Sequence, residues 1–172
     1  MRDDPKPFFR FNPNAYDHGA FKASDKICEV CGRPSVWLYT GVIYGLHKPD
    51  PLTCARCINE GKLDDKLGEG EWGLHESYHD AEIRKEFAEE LERTPAVSSH
   101  NPFEWPVHDG MPCAFLHYHT KSANSDFETP EAREAIRAEF DKLGWAAPYP
   151  LQYVLLFKEL NGDRYHVWID LD

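Results

Sequence analysis

The sequence predicts an α+β protein with a cysteine-rich N-terminal part, a small sheet, two main helices and a C-terminal β-hairpin. Three observations lead to this prediction. Two Cys-x-x-Cys pairs lie between residues 28 and 57, two amphipathic patterns lie between residues 80 and 144, and two β-rich runs flank Asn161-Gly162. A chain of 172 residues is long enough to bury a real core in one compact domain.

The composition excludes several classes of protein. Hydrophobic residues make up 41% of the chain and aromatic residues 13%, which is too many for a disordered polypeptide. No apolar run approaches the roughly 20 residues that a membrane span needs, and the N-terminus lacks the apolar core of a signal peptide. A net charge of −11 opposes binding to nucleic-acid phosphates. We therefore expect a cytoplasmic protein without a membrane or nucleic-acid partner.

The first half of the chain predicts an extended segment, two strands and a loop. The first 24 residues are rich in aromatic residues, Pro and Asn, which is typical of an extended segment clamped on a core. The β-branched and aromatic runs Val36–Tyr39 and Val42–Tyr44 follow, and Gly41 lies between them, so they predict strands. Residues 59–79 combine glycines with acidic residues and predict a loop.

The first helix is predicted from Asp80 to Arg93. Ile83, Phe87 and Leu91 recur every four residues and would line one face, while charged residues occupy the others. Pro95 ends this segment.

The second helix has clear start and stop signals. Thr129 supplies a capping hydroxyl, Pro130 suits the first turn, and Glu131 places negative charge near the positive end of the helix dipole. Gly144 supplies the C-terminal stop. The predicted buried stripe consists of Ala132, Ile136, Phe140 and Leu143.

The last part of the chain predicts three strands. Cys113–Thr120 alternates weakly between apolar and polar residues. The runs Tyr153–Phe157 and Tyr165–Ile169 flank Asn161-Gly162, which is a strong signal for a hairpin turn.

The two Cys-x-x-Cys pairs predict one structural zinc ion. The pairs are separated by 22 residues, and their members are Cys28, Cys31, Cys54 and Cys57. Two residues between thiolates let a tight turn aim both sulfurs at one cation, and four sulfurs form a closed tetrahedral site without a position for catalytic water. Gly32 permits the dihedral angles of such a turn. The N-terminal part is therefore expected to be zinc-ribbon-like and to pack on the small sheet.

Disulfides and thiol redox chemistry are the alternatives for these cysteines. A reducing cytoplasm opposes disulfides, and redox chemistry would need only one Cys-x-x-Cys pair. The fifth cysteine, Cys113, has apolar neighbours and is predicted to be a buried free thiol.

Most of the negative charge lies between Ile58 and Glu92. This stretch holds twelve acidic and four basic side chains, a net charge of −8. Solubility alone explains such a charge, but a clustered acidic surface would also speed association with a basic partner. The residues that we expect to contact this partner are Asp64, Asp65, Glu69, Glu71 and Trp72.

Three histidine patterns resemble catalytic or metal sites. Residues 75–79 match the zinc-protease pattern H-E-x-x-H, but they follow four glycines in an acidic stretch instead of lying in an apolar helix. His117 and His119 would share one face of a strand, yet two histidines alone fix no metal. His108-Asp109 lacks a neighbouring Ser or Cys nucleophile. We therefore expect no catalytic site and no enzyme.

The order of these motifs resembles the CbrC family of bacterial proteins over nearly the whole chain. The matching segments are Phe9–Pro13, Gly19–Phe21, both cysteine pairs with the following Ile58–Gly61, Arg93–Pro95, Trp105, His108, Cys113–Leu116, Tyr153–Phe157 and Asp170–Asp172. The resemblance implies one CbrC-like domain over residues 1–172, in which residues 24–61 form a zinc-stapled subdomain.

The chain departs from the family pattern at three places. Asn12 stands where His is usual, Asp109 stands where another Cys is usual, and the residues Glu159–Gly162 replace a Cys-x-x-Cys. A second metal or thiol site, if the family has one, is therefore not expected in this chain.

The resemblance also implies a function, although no activity is established for the family. Its namesake is associated with tolerance to a nuclease-type colicin. We therefore expect a protein that confers immunity or tolerance by sequestering a basic nuclease toxin through its acidic surface. Two alternatives remain open: a zinc-stabilised interaction or regulatory protein with another cellular partner, and a metal-dependent hydrolase that uses His75, Glu76 and His79. A third is nucleic-acid binding through the basic residues around the cysteines, which the overall charge opposes; these residues are Lys22, Lys26, Arg33, Lys48 and Arg56.

Overall fold

The chain folds into two compact units, which are described separately. The computed structural model describes residues 6–45, 49–75, 83–99, 104–119, 129–145 and 153–170. The first unit consists of Met1–Glu76 and Lys85–Ser98, and the second consists of Ser77–Arg84 and Ser99–Asp172. Helices and small antiparallel sheets confirm the α+β class. All four paired cysteines lie in the first unit; a single domain over the whole chain stays a prediction.

Two small pairs of antiparallel strands organise the first unit. Strand β1 (Phe21–Ala23) pairs with β2 (Trp37–Tyr39), and β3 (Tyr44–Gly45) pairs with β4 (Trp72–Gly73). The strand predicted at residues 36–39 is therefore present, one residue shorter, whereas the strand predicted at residues 42–44 shares only Tyr44 with β3. The close approach of β3 to β4 requires glycine, because a Cβ on Gly45 would lie 2.6 Å from the carbonyl oxygen of Glu71.

Two short helices lie between the strand pairs. Helix α1 (Ala55–Asn59) carries the second cysteine pair, and α2 (Leu63–Leu67) follows it in the stretch predicted to be a loop. The loop prediction for residues 59–79 is wrong at α2 and at β4. Leu63 and Leu67 are four residues apart and both buried, so they anchor one helical turn that the surrounding glycines obscured.

Helix α3 (Lys85–Glu92) is shorter than predicted. It begins at Lys85, whereas the apolar pattern placed its start at Asp80; residues 80–82 lie outside the described part of the chain. The backbone N–H of Arg84 donates to the carbonyl oxygen of Gly110 at 2.9 Å. Because this bond goes to a distant residue and not to a helical carbonyl, Arg84 lies outside the helix. Phe87 and Leu91 are buried as predicted.

Aromatic residues of the N-terminal segment build much of the core of the first unit. Phe21 stacks with Phe9 at 5.5 Å and with Tyr16 at 5.0 Å between ring centroids. Phe11 is fully buried and meets Phe87 of α3 edge-on at 6.2 Å. Ring pairs of this kind bury large apolar areas, so the segment is a structural part of the unit. Its predicted extended conformation is wrong for residues 10–20, which form successive turns closed by hydrogen bonds such as that from the Ala20 N–H to the Ala15 carbonyl oxygen at 2.9 Å.

A tight hairpin opens the described strands of the second unit. Strand β5 (Val107–His108) pairs with β6 (Met111–Pro112), and only Asp109 and Gly110 lie between the paired residues. Both have positive φ angles, 50° and 77°, as the two central positions of a type I′ turn require. Asp-Gly is a favoured sequence for this turn.

A three-stranded antiparallel sheet follows. Its order is β7 (Ala114–His119), β8 (Tyr153–Lys158) and β9 (Tyr165–Asp170), so β8 lies in the centre. The predicted C-terminal hairpin is confirmed as β8 and β9.

The loop of this hairpin is longer than its sequence indicates. Lys158 pairs with Tyr165, so Asn161-Gly162 lies in a six-residue loop instead of forming a two-residue turn. The Glu159 N–H donates to the Arg164 carbonyl oxygen at 3.0 Å and closes the base of the loop.

Helix α4 (Pro130–Lys142) packs its apolar face within the second unit. The Thr129 hydroxyl accepts a hydrogen bond from the Ala132 N–H at 3.2 Å, which confirms the predicted cap. Residues from this helix and from β8 form one core cluster, with Ala132, Ile136, Phe140, Val154 and Leu156 as its buried members. Leu143 is 43% exposed, so its place in the predicted stripe is wrong: the helix ends there, and Gly144 turns the chain away with a φ of 71°.

Among the described helices, none combines the length and the apolar character needed to cross a bilayer.

Candidate metal centre

The four paired cysteines converge on one point in the first unit. Their sulfur atoms all lie within 4.8 Å of one another. Cys28 Sγ and Cys57 Sγ are 3.8 Å apart, and Cys31 Sγ and Cys54 Sγ are 4.0 Å apart. A tetrahedral ion with metal–sulfur bonds of about 2.3 Å holds its four sulfurs about 3.8 Å from one another. The cluster therefore has the size that one tetrahedral metal ion requires.

The first cysteine pair lies in a tight turn. The Gly32 N–H donates to the Cys28 carbonyl oxygen at 2.8 Å, and the Cys28 N–H donates to the Arg33 carbonyl oxygen at 2.9 Å. Gly32 has a φ of 68°, a conformation that favours glycine, as the sequence predicted for the residue after Cys31. This turn brings the sulfurs of Cys28 and Cys31 to the same side.

The second cysteine pair lies at the start of α1. Cys54 precedes the first helical residue, and Cys57 lies one turn further along, so both sulfurs face the same direction. An isolated β-bridge links Cys54 to Leu38 of β2, and Leu38 packs with the buried cysteines in one small core cluster. Strand β2 and helix α1 thus hold this pair in place from two sides.

Hydrogen bonds to sulfur change the acidity of the thiols. The Cys54 side chain hydrogen-bonds to Cys28, which lowers the pKa of Cys28 to about 4 and raises that of Cys54. The Cys54 backbone N–H, 3.3 Å from Cys28 Sγ, adds to the stabilisation of the Cys28 thiolate. Burial raises the pKa of Cys57 to about 12. Without a metal ion, Cys54 and Cys57 keep their protons near neutral pH, so metal binding must release protons.

The donor set defines what the cluster can do chemically. Four cysteines, three of them buried and Cys31 half-buried, could hold a metal ion. Four protein ligands complete a tetrahedron and leave no position for water or substrate. An ion bound here would be structural, because it would tie the turn at residues 28–33 to helix α1.

The five residues predicted to contact a partner lie on one short segment of the first unit. These acidic-segment residues are Asp64, Asp65, Glu69, Glu71 and Trp72. The four carboxyl side chains belong to exposed residues, and the Trp72 indole N–H donates to Asp64 Oδ1 at 2.8 Å. The structure therefore brings helix α2 and strand β4 together so that an indole is fixed among exposed acidic groups.

His75 has a structural hydrogen bond. Its Nε2 lies 3.1 Å from the carbonyl oxygen of Leu91, and because a carbonyl can only accept, Nε2 is the protonated nitrogen. Nε2 therefore has no lone pair for a metal ion in this arrangement. Glu76 and His79, the other residues of the H-E-x-x-H pattern, lie outside the described residues.

We expect His75 to make the fold sensitive to acid. Burial lowers the pKa of its ring to about 4, whereas the ring has a pKa of about 6.5 in the unfolded chain. The unfolded state takes up the proton first, so stability falls as the pH drops from about 6.5 to about 4. Since the residue is half-buried, about 3 kcal/mol is an upper bound on this loss. His75→Gln keeps an N–H donor without titrating; urea unfolding at pH 7.5 and 4 should show a flatter pH dependence for this variant, and parallel curves would contradict the assignment.

Within the described residues, the other histidine patterns bring no three metal-binding side chains together. On β7, His117 is buried and His119 is half-buried, and both pair with β8 in one register, because the irregularity of the strand lies before His117. In the part of the chain that the structure describes, the cysteine cluster is the only group of three or more suitable side chains close enough to bind an ion. Cys113 is a buried free cysteine, and burial raises its pKa to about 12, as expected for an unreactive thiol.

In the second unit, two histidines and an arginine surround the buried carboxylate of Glu159, an arrangement that no sequence pattern predicted. The Glu159 side chain is only 2% exposed, and its Oε1 accepts from His166 Nε2 at 3.0 Å. His108 Nδ1 lies 3.2 Å and Arg164 Nε 3.3 Å from the same oxygen. Burial would raise the pKa of Glu159, but the hydrogen bond from His166 and the charges of His108 and Arg164 outweigh it and lower the pKa. The His108 ring thus lies within ion-pair distance of two carboxylates, that of Glu159 and that of its neighbour Asp109, whose Oδ2 is 3.5 Å from His108 Nε2.

The fold and the site define an α+β protein with a buried four-cysteine cluster that can bind a metal ion. The sequence pattern of the uncharacterised protein family UPF0167 matches residues 6–170, and the chain belongs to this family. A UPF0167 protein of Pseudomonas aeruginosa is 31% identical to this chain over 115 residues. The aligned region covers 64% of this chain and 63% of that relative, so the chain spans less than two thirds of the relative's length. No solved structure matches the chain.

Proposed function

We propose that this protein is a zinc-stabilised binding protein that captures a basic protein partner through its acidic segment. The observation that carries this proposal is the arrangement of Asp64 and Trp72, in which an aromatic side chain is fixed beside exposed carboxylates. Partner-binding surfaces use rigid aromatic anchors surrounded by polar groups. An indole that is already held in place loses less conformational entropy when a partner covers it.

Zinc is the ion that we propose for the cysteine cluster. A closed tetrahedral set of four thiolates suits zinc or iron. Zinc is not redox-active and has no geometric preference of its own, so it can serve as a permanent link between the turn at residues 28–33 and helix α1. In this proposal the ion holds the first unit together and takes no part in chemistry.

The negative charge supports a basic partner. The acidic residues Asp64, Asp65, Glu69 and Glu71 are exposed within a stretch of the chain whose net charge is −8. Charge of one sign on one surface attracts a partner of opposite charge and raises its association rate by about ten- to a thousandfold. This effect weakens with salt, because ions screen charges over about 8 Å at physiological ionic strength.

The resemblance to the CbrC family supports a particular partner, a nuclease-type bacterial toxin. A nuclease must present basic residues to the phosphates of its substrate. A cytoplasmic protein with an acidic surface can cover those residues and so keep the nuclease from its substrate. We propose that the protein confers tolerance in this way.

Reversing the charge of the acidic segment should abolish protection of the cell against the toxin. We expect cells that carry a fourfold variant to lose tolerance to the nuclease toxin, because association with the basic surface slows by at least tenfold. The substitutions are Asp64→Lys, Asp65→Lys, Glu69→Lys and Glu71→Lys. Survival after toxin challenge is the measurement, supported by association rates at low and high salt.

A matched control separates the position of the charges from their number. Four exposed acidic residues outside the acidic segment provide the same change in net charge: Asp17→Lys, Glu134→Lys, Asp141→Lys and Asp163→Lys. This control should protect as the wild type does. Full protection by the first variant would show that the acidic segment is not the binding surface.

A further inference from the structure

A cleft of about 210 Å³ lies in the first unit, between the N-terminal segment and helix α3. Pockets for drug-sized ligands measure about 300–1,000 Å³, so this cleft has room for one side chain and not for a large ligand. The residues around it that matter for its chemistry are Phe8, Arg10, Glu86, Glu89, Glu90 and Arg93.

The charged side chains that line the cleft carry a net negative charge. Arg10 Nε donates to Glu90 Oε1 at 3.0 Å, and a second guanidinium nitrogen binds the other oxygen of Glu90. This bidentate pair neutralises both groups and holds Arg10 beside the rings of Phe11 and Phe87. The other charged residues that line the cleft are Glu86, Glu89 and Arg93, so the three carboxylates and two guanidinium groups of the lining sum to a net charge of −1.

An exposed aromatic ring completes the lining. Phe8 is 70% exposed, the highest exposure among the large hydrophobic residues that the structure describes. The N-terminal segment is otherwise well anchored, since Phe9 and Phe11 are buried on either side of Arg10. Phe8 is therefore presented at the cleft by a fixed backbone.

We propose that this cleft binds one cationic side chain, a lysine or an arginine, of the basic protein partner. An aromatic face and carboxylates together are the groups that hold an ammonium or guanidinium ion. The volume of the cleft fits a single extended side chain. The net negative charge of its lining favours a cation over an anion. This inference rests on the proposed function and adds to it a specific anchor point, distinct from the acidic segment at residues 64–72.

The test is binding of a nona-arginine peptide to the full-length protein at physiological salt, measured by calorimetry. Phe8→Ala together with Glu89→Gln should weaken binding about tenfold. Glu92→Gln is the matched control, because it removes the same charge from the same helix at an exposed residue outside the cleft. The control should change the affinity by less than about twofold. Thermal unfolding should be the same for all of these proteins, since the substituted residues are exposed.

The outcomes separate this inference from the proposed function. If Glu89→Gln and Glu92→Gln weaken peptide binding equally, the peptide responds to net charge and the cleft is not a site. If the Phe8 and Glu89 variant protects cells as well as the wild type while the fourfold variant fails, the cleft proposal is wrong and the proposed function stands. If the cleft variant loses peptide binding but the fourfold variant still protects, the cleft proposal stands and the acidic-segment mechanism is wrong.

Discussion

Replacing Cys54 with serine should remove the bound metal and unfold the first unit. Cys54 is buried, contributes one of four ligands and connects α1 to β2. Structural zinc contributes about 10–16 kcal/mol in small zinc domains, whereas a whole native protein is stable by only about 5–15 kcal/mol. Loss of this contribution exceeds the stability that the unit can hold in reserve, so we expect the first unit to be unfolded near room temperature and its melting transition to be absent. Elemental analysis and circular dichroism on the same sample measure both effects.

Cys113→Ser is the matched control for this experiment. Cys113 is buried like Cys54 but lies in the second unit, so the same chemical change leaves all four ligands in place. A hydroxyl in an apolar site should cost about 1–3 kcal/mol and leave the metal content unchanged. A Cys54→Ser protein that contains no metal and melts with the wild type would show that the cluster is not a structural centre.

Replacing Phe157 with alanine should cause the second largest loss of folding stability among the substitutions considered. Phe157 is 0% exposed and lies on β8, the central strand of its sheet. Its ring contacts Trp105 edge-on at 5.5 Å and Phe115 at 5.3 Å between centroids. Strands on both sides prevent the site from collapsing, so we expect the cavity to cost about 3–5 kcal/mol. Urea unfolding measures this as a lower midpoint with an unchanged slope.

Phe157→Leu provides the comparison, because it removes less volume from the same position. It should cost less than half as much as the alanine variant, and both variants should keep their metal. A loss below about 1 kcal/mol for Phe157→Ala would contradict the position of this ring in the core.

Local sequence signals predicted the elements whose structure is set locally. The cysteine cluster follows from two short spacings and one glycine, and the start of α4 follows from Thr129 and the proline after it. Helix α2 was not predicted, because one turn with two leucines is too short to show a helical period. Asp109-Gly110 is itself a sequence signal for a two-residue hairpin turn, but together with His108 the aspartate was interpreted as part of a catalytic pair.

Other features depend on residues that are distant in sequence. Glu159 meets His108 only because the β5–β6 hairpin and the β8–β9 hairpin belong to one folded unit, and no pattern along the chain relates them. The cleft beside Phe8 likewise requires α3 to pack near the N-terminal segment. Asn161-Gly162 shows the opposite case, in which a strong turn signal lies within a longer loop that the buried Glu159 and its ion pairs organise.

Native mass spectrometry of the protein, isolated gently from its own host without chelators, tests the central claim most directly. The account predicts one zinc ion per chain and one basic protein bound in equal amount. The fourfold Lys variant, isolated in the same way, should keep the zinc ion and lose the companion. Two metal ions and no companion would contradict the account, because they would indicate a second site and a metal-dependent activity instead of a binding protein.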